Sequence, residues 1–104
     1  MIYAIRCDVV PGKSHELDTF LRSKHLPFWM AQPGVRAFRV YEDMLVGYPE
    51  RTIEVDLEDL SCLQRILGLE EHRRLKEEFL QYATSASSQL LNVTLEHGTA
   101  ARTA

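Results

Sequence analysis

The chain has 104 residues, enough for one hydrophobic core and too few for two domains, and a partner subunit would add useful stability at this size. Its 45% apolar and 26% charged residues are ordinary for a globular protein, and a formal net charge of −3 supplies no basic field for nucleic acid or an anionic membrane. No run reaches the roughly 20 apolar residues that cross a bilayer, and Arg6 and Asp8 stand where a signal peptide would stay apolar, so a cytoplasmic protein with Cys7 and Cys62 as free thiols is expected.

Residues 2–10 alternate, with Tyr3, Ile5, Cys7 and Val9 on one face and Arg6 and Asp8 on the other, the period of a half-buried strand that Pro11-Gly12 ends. Residues 13–32 follow a helical period through Leu17, Phe20, Leu21, Lys24 and Phe28. His25 lies four after Leu21, and Trp29, the single tryptophan, four after His25, so both fall on or beside that stripe. Pro27 has no N–H and clashes with the preceding turn, which predicts one kinked helix in preference to a break with Pro27 starting a short second helix; Pro33-Gly34 then turns the chain. Val35 to Asp43 reads as a second strand, Met44 to Glu50 as a hairpin turn, and Arg51 to Leu57 as a third strand.

Asp59 or Ser61 can cap the next helix, whose buried side is predicted as Leu60, Leu63, Ile66 and Leu67, with a break at Gly68. A further helix from about Glu70 to Ala83 shows the stripe His72, Leu75, Phe79 and Tyr82. The small polar run Ala83 to Ser88 reads as loop, and Gln89 to Glu96 as the last strand, with Leu91, Val93 and Leu95 on one face and Asn92, Thr94 and Glu96 on the other. Residues 1–96 thus form one domain, and 97–104 a flexible C-terminal tail with nothing to bury.

The order β-α-β-β-α-(α)-β is the split β-α-β arrangement of ferredoxin-like α+β folds, in which helices cover one face of a four-stranded antiparallel sheet. The apolar registers Tyr3/Ile5/Cys7/Val9, Phe38/Val40, Ile53/Val55/Leu57 and Leu91/Val93/Leu95 are expected on the covered face. The other face would carry Arg6, Asp8, Arg39, Tyr41, Glu54, Asp56, Asn92 and Thr94, either solvated or set against the same face of a second copy through Arg–Glu pairs.

Short motifs complete the reading: Val10-Pro11-Gly12-Lys13 after the first strand, His25-Leu26-Pro27 late in the first helix, Gln32-Pro33-Gly34-Val35 before the second strand, and Glu70-Glu71-His72-Arg73 opening the last helix. Together they resemble the dimeric α/β-barrel superfamily over residues 2 to about 96. The Pro-Gly punctuation is similar to antibiotic-biosynthesis-monooxygenase-like domains, His-x-Pro followed by Pro-Gly to EthD-like domains, and His72 to stress-responsive barrel domains. The resemblance implies a ferredoxin-like subunit that pairs sheet to sheet as a homodimer, with a pocket between sheet and helices. It also implies either cofactor-free monooxygenase or isomerase chemistry on an aromatic or enolisable molecule, or a non-catalytic small-molecule binding or stress-response module.

His25 is the candidate general base, since imidazole exchanges protons near neutral pH; the alternative is a histidine bonded to carbonyls freed at the Pro27 break or favoured there by the helix dipole. Trp29, His72, Tyr82 and Phe20 are candidate substrate contacts, each also explicable as core or core edge. Two histidines without neighbouring ligands at metal spacing predict no metal site, and no cofactor is expected. Nucleic acid and membrane are not expected partners.

Overall fold

A computed structural model of the protein describes residues 1–98. Beyond His97 and Gly98, the predicted tail lies outside the described residues. The elements run β1 (Ile2–Val9), α1 (Ser14–Phe20), a π-helical turn (Leu21–His25), α2 (Leu26–Met30), β2 (Val35–Glu42), β3 (Arg51–Leu57), α3 (Leu60–Leu67), α4 (Glu70–Phe79) and β4 (Ala83–Leu91). The strands form one open antiparallel sheet in the order β2-β3-β1-β4. This is the ferredoxin-like α+β arrangement.

Alternation in β1 and β3 does what the pattern predicts. Ile5, Cys7 and Val9 meet Leu17, Phe20, Leu21 and Phe79 in one core cluster, while Val55 and Leu57 meet Trp29, Leu63 and Ile66 in a second. Tyr3, Phe38 and Leu75 pack against both clusters and join them. On the opposite face Ile2 and Ala4 are only 6% and 3% exposed. Ala4 is small and stands between Glu54 and Gln89, whose longer side chains flank it on the two neighbouring strands. Arg39 and Glu54 pair with one another on this face at 3.6 Å, and Tyr41 donates to Glu54. Arg39, Tyr41 and Glu54 are thus already engaged with one another within the protomer.

The first helical run spans residues 14–30, with a π-helical turn just before Pro27, and α2 resumes at Leu26 with Pro27 in its first turn. Pro27 cannot donate, and its ring would collide with the carbonyl four residues back. Widening the turn moves the strain, and the Leu26 N–H reaches the Leu21 carbonyl, five residues away. The consequence is rotational. In a regular α-helix Trp29 would sit roughly 120° around the axis from Leu17. The wide turn instead keeps Leu17, Leu21, His25 and Trp29 all buried. Lys24, predicted on the buried stripe, is consequently exposed and pairs with Glu78 at 2.9 Å.

Asp59 caps α3, accepting from the Cys62 N–H at 2.9 Å. That hydrogen bond, with one from Ser61, holds the Asp59 carboxyl below its ordinary range. The buried stripe of α3 is Cys62, Leu63 and Ile66, whereas the predicted Leu60 and Leu67 are exposed. Arg51, opposite Cys7 on the helix face, ties the start of β3 to α1 through both oxygens of Asp18 at 3.3 Å.

The larger correction concerns β4. It begins at Ala83, not Gln89, so the predicted loop Ala83 to Ser88 is strand. Ser88 stands opposite Ile5 and Leu90 opposite Tyr3, which places these two on the helix face. Leu91 pairs with Ile2 on the other face, while Asn92, Val93, Thr94 and Leu95 lie beyond the strand. The sequence hid this strand because an edge strand with little helix above it has few apolar side chains to alternate; its ladder with β1 defines it. An extra residue in β4 between the partners of Arg6 and Asp8 forms a bulge, with Ser85 at a left-handed φ of 53°.

Candidate functional site

A cleft of about 620 Å³ opens between α4 with its preceding turn on one side and β1 with β4 on the other. Tyr3, Ile5, Leu75 and Phe79 supply apolar lining, and His25 and His72 enter it from the first helical run and from α4. Leu67 at the end of α3, with Gly68 and Leu69 in the turn to α4, forms one lip, while Ala86 and Ser88 form the β4 wall. Ser88 belongs to this wall because the β4 register turns it toward the helices; its hydroxyl accepts from the Tyr3 hydroxyl at 3.2 Å.

His25 is 3% exposed. Its ring lies 5.6 Å from those of Phe20 and Phe38, 5.7 Å from Phe79 and 6.4 Å from Trp29. Nδ1 is buried and has no hydrogen-bond partner, so it does not bind the carbonyls freed at Pro27. Burial among aromatic rings, with a smaller contribution from His72, pushes the imidazole down to about 3. At neutral pH it is the uncharged ring. His72 is half-buried, with its ring 5.7 Å from Trp29 and 6.1 Å from Phe28. Burial first, then the Lys76 ammonium one helical turn away, lowers its pKa as well.

The predicted site residues separate into three positions. His25 and His72 share the cleft. Trp29, fully buried, stands behind both rings, and its indole Nε1 is buried without a partner. Phe20 and Tyr82 face a second, shallower groove of about 250 Å³ between the first helical run and α4. There the Tyr82 hydroxyl donates to Glu78 at 3.4 Å, and Phe20 serves the cleft only by packing against His25. Tyr3, Lys76 and Ser88 were not singled out by the sequence. The i,i+4 spacing of His72 and Lys76 was a usable sign, but Tyr3 was one of four tyrosines and Ser88 lay in a supposed loop.

Among the described residues no group of three or more His, Cys, Asp or Glu side chains is placed to hold a metal ion. No helix of the described residues is long and apolar enough to cross a membrane.

No protein-family model and no curated protein matches the chain. Solved structures do. SnoaB of Streptomyces nogalater, a cofactor-independent oxygenase seen there as a point mutant, superposes with a TM-score of 0.77 at 12% identity, over 91% of this chain and 93% of that one. Rv0793 of Mycobacterium tuberculosis gives 0.74 at 16% identity, over 93% and 97%. A protein provisionally named an antibiotic biosynthesis monooxygenase, from Bacteroides thetaiotaomicron, gives 0.68 at 16% identity, over 94% and 95%. The chain is therefore a ferredoxin-like α+β domain of the kind found in antibiotic-biosynthesis-monooxygenase-like proteins. At such identities the likeness is one of fold.

Proposed function

We propose that the protein is a small-molecule-binding homodimer of the antibiotic-biosynthesis-monooxygenase-like fold, acting without a cofactor in the cytoplasm on a planar aromatic or enolisable molecule. The observation that carries this reading is the uncharged, buried imidazole of His25 in the wall of an otherwise largely apolar cleft. Such a ring accepts a proton or a hydrogen bond from a phenol or an activated C–H, and Trp29 behind it holds its orientation. The substrate anion then reacts with molecular oxygen, as a monooxygenase requires, or regains its proton at another atom, as an isomerase requires. The EthD-like His25-Leu26-Pro27 motif and the cofactor-independent oxygenase among its structural neighbours support that chemistry.

The test uses a panel of phenols and enolisable ketones, reading the melting temperature for binding and oxygen uptake or isomer formation for turnover. His25→Leu preserves the apolar packing and is expected to abolish turnover; an unchanged rate removes His25 from the reaction. A second reading, a binding module without catalysis, is favoured by the same pKa of about 3, since so weak a base deprotonates only acidic substrates. Saturable binding with no product across the panel selects it.

The homodimer rests on exposed apolar surface. Asp43 accepts from the backbone N–H groups of Leu45, Val46 and Gly47, which shapes the β2–β3 loop. Beside that anchor Met44, Leu45, Val46 and Tyr48 stand in solvent, Leu45 at 93% exposure. Val93 and Leu95, past the end of β4, are exposed too. Consecutive exposed apolar residues on a shaped loop mark an interaction surface. With the outer sheet face they are the surface on which a pair would bury the roughly 800 Å² per partner that stable association takes. Sedimentation is expected to give twice the 12.0 kDa chain mass; a monomer at micromolar concentration refutes the dimer.

A further inference from the structure

The cleft has a charge pattern that narrows its occupant. Glu70, Arg73 and Lys76 are the ionised side chains along it. Arg73 is engaged by Glu70 and Glu77, and Glu70 also by Arg74. The Lys76 side chain, by contrast, has no hydrogen bond or ion pair among the described residues. It projects from the same face of α4 as His72, one turn further on, and its charge reaches that ring. The cleft therefore joins an apolar interior, Tyr3, Ile5, Leu75 and Phe79, to one uncompensated cation at its edge. Deeper in, the buried His25 ring carries a polar atom with no partner.

We propose that the cleft selects an anionic aromatic ligand, a ring system bearing a carboxylate, with the rings on the apolar interior against His25 and the carboxylate at Lys76. This rests on the small-molecule reading above and adds the charge of the ligand. An apolar body enters the cleft for the burial of its rings. A carboxylate compensates the lone ammonium, where a neutral amide of the same shape leaves it with water alone. The cleft, at about 620 Å³, lies within the usual range of small-molecule sites and admits a ring system of two rings or more. Neither of the other cleft charges competes for the carboxylate, because Arg73 already holds two carboxylates and Glu70 repels a third.

The probes are 2-naphthoate and its neutral analogue 2-naphthamide, titrated by calorimetry into the wild-type protein, Lys76→Gln and Lys13→Gln. Lys13 lies outside the cleft and is exposed, so Lys13→Gln removes the same net charge elsewhere. In the wild type, naphthoate is expected to bind about fivefold more tightly than naphthamide, the scale of a partly exposed ion pair. That preference is expected to shrink in high salt. It is expected to vanish in Lys76→Gln and to persist in Lys13→Gln, with naphthamide binding alike in all three. Equal binding of the two probes to wild type, or equal losses in both variants, overturns anion selection and leaves the aromatic-ligand reading standing. Failure of both probes to bind overturns both.

Discussion

Gly34→Ala is expected to destabilise the protein by about 3 kcal/mol, read as a fall in the urea midpoint at unchanged slope. Two effects combine. Gly34 sits at a φ of 89°, in a backbone region where a Cβ costs about 1–2 kcal/mol. The added methyl would also stand 2.7 Å from Cys62 Sγ and 3.3 Å from its Cβ. Neither neighbour yields easily. Cys62 is buried in the first turn of α3, its backbone N–H is held by Asp59, and its thiol donates to the Pro33 carbonyl at 3.2 Å. The Gly34 carbonyl in turn accepts from Glu58 N–H at 2.9 Å, which pins the turn from the other side. Cys62→Ala in the same chain is expected to restore the steric part and leave the backbone part, giving a favourable coupling of about 1–2 kcal/mol in a double-mutant cycle. Strict additivity would show that the thiol is not the obstacle.

Stability is also expected to fall by about 2 kcal/mol between pH 7 and pH 5, well above the range where carboxylates titrate. His25 titrates near 6.5 when unfolded and at about 3 in the native protein. As pH falls through 6.5 the unfolded chain binds a proton that the folded chain refuses until far lower, so protonation draws the equilibrium toward unfolding. The stabilisation is complete above pH 6.5 and is lost progressively as pH falls toward 3, at up to about 1.4 kcal/mol per pH unit. His72 is shifted in the same direction and adds to the trend. The depressed carboxyls of Asp43, Asp59 and Glu70 act only below this window. Thermal melts should show a drop of about 10 °C over those two pH units. In His25→Leu most of the dependence should disappear. Parallel curves for the two proteins would mean that the imidazole is not buried as described.

These two expectations rest on different kinds of information. Gly34 was marked in the sequence as a turn after Pro33, but its proximity to Cys62 joins residues 28 positions apart in the chain, and only packing supplies that. His25 was legible as a residue of interest beside Pro27. Its place on or beside the buried stripe was legible too, but its near-complete burial, at 3% exposed, rests on the π-helical turn that keeps Leu17, Leu21, His25 and Trp29 all inward. The same cause moved Lys24 out to Glu78 and left Trp29 fully buried. Of the five proposed site residues, the two histidines reach one cleft because their helices lie side by side on the sheet. Phe20 and Tyr82 point toward the other side of α4.

Local chemistry by itself determined the element order, the strands β1 to β3, the Asp59 cap, the break at Gly68 and the ferredoxin-like topology. In each case the signal lies within a few neighbouring residues: a period of two, a capping side chain, a residue without a β-carbon. Tertiary structure alone decided where β4 begins, which way the first helical run faces and which side chains border the cleft. An edge strand of small polar residues is held by hydrogen bonds to β1, and the rotation of a helix around a proline depends on the core it must fill. Both are contacts between distant parts of the chain, which no local pattern records.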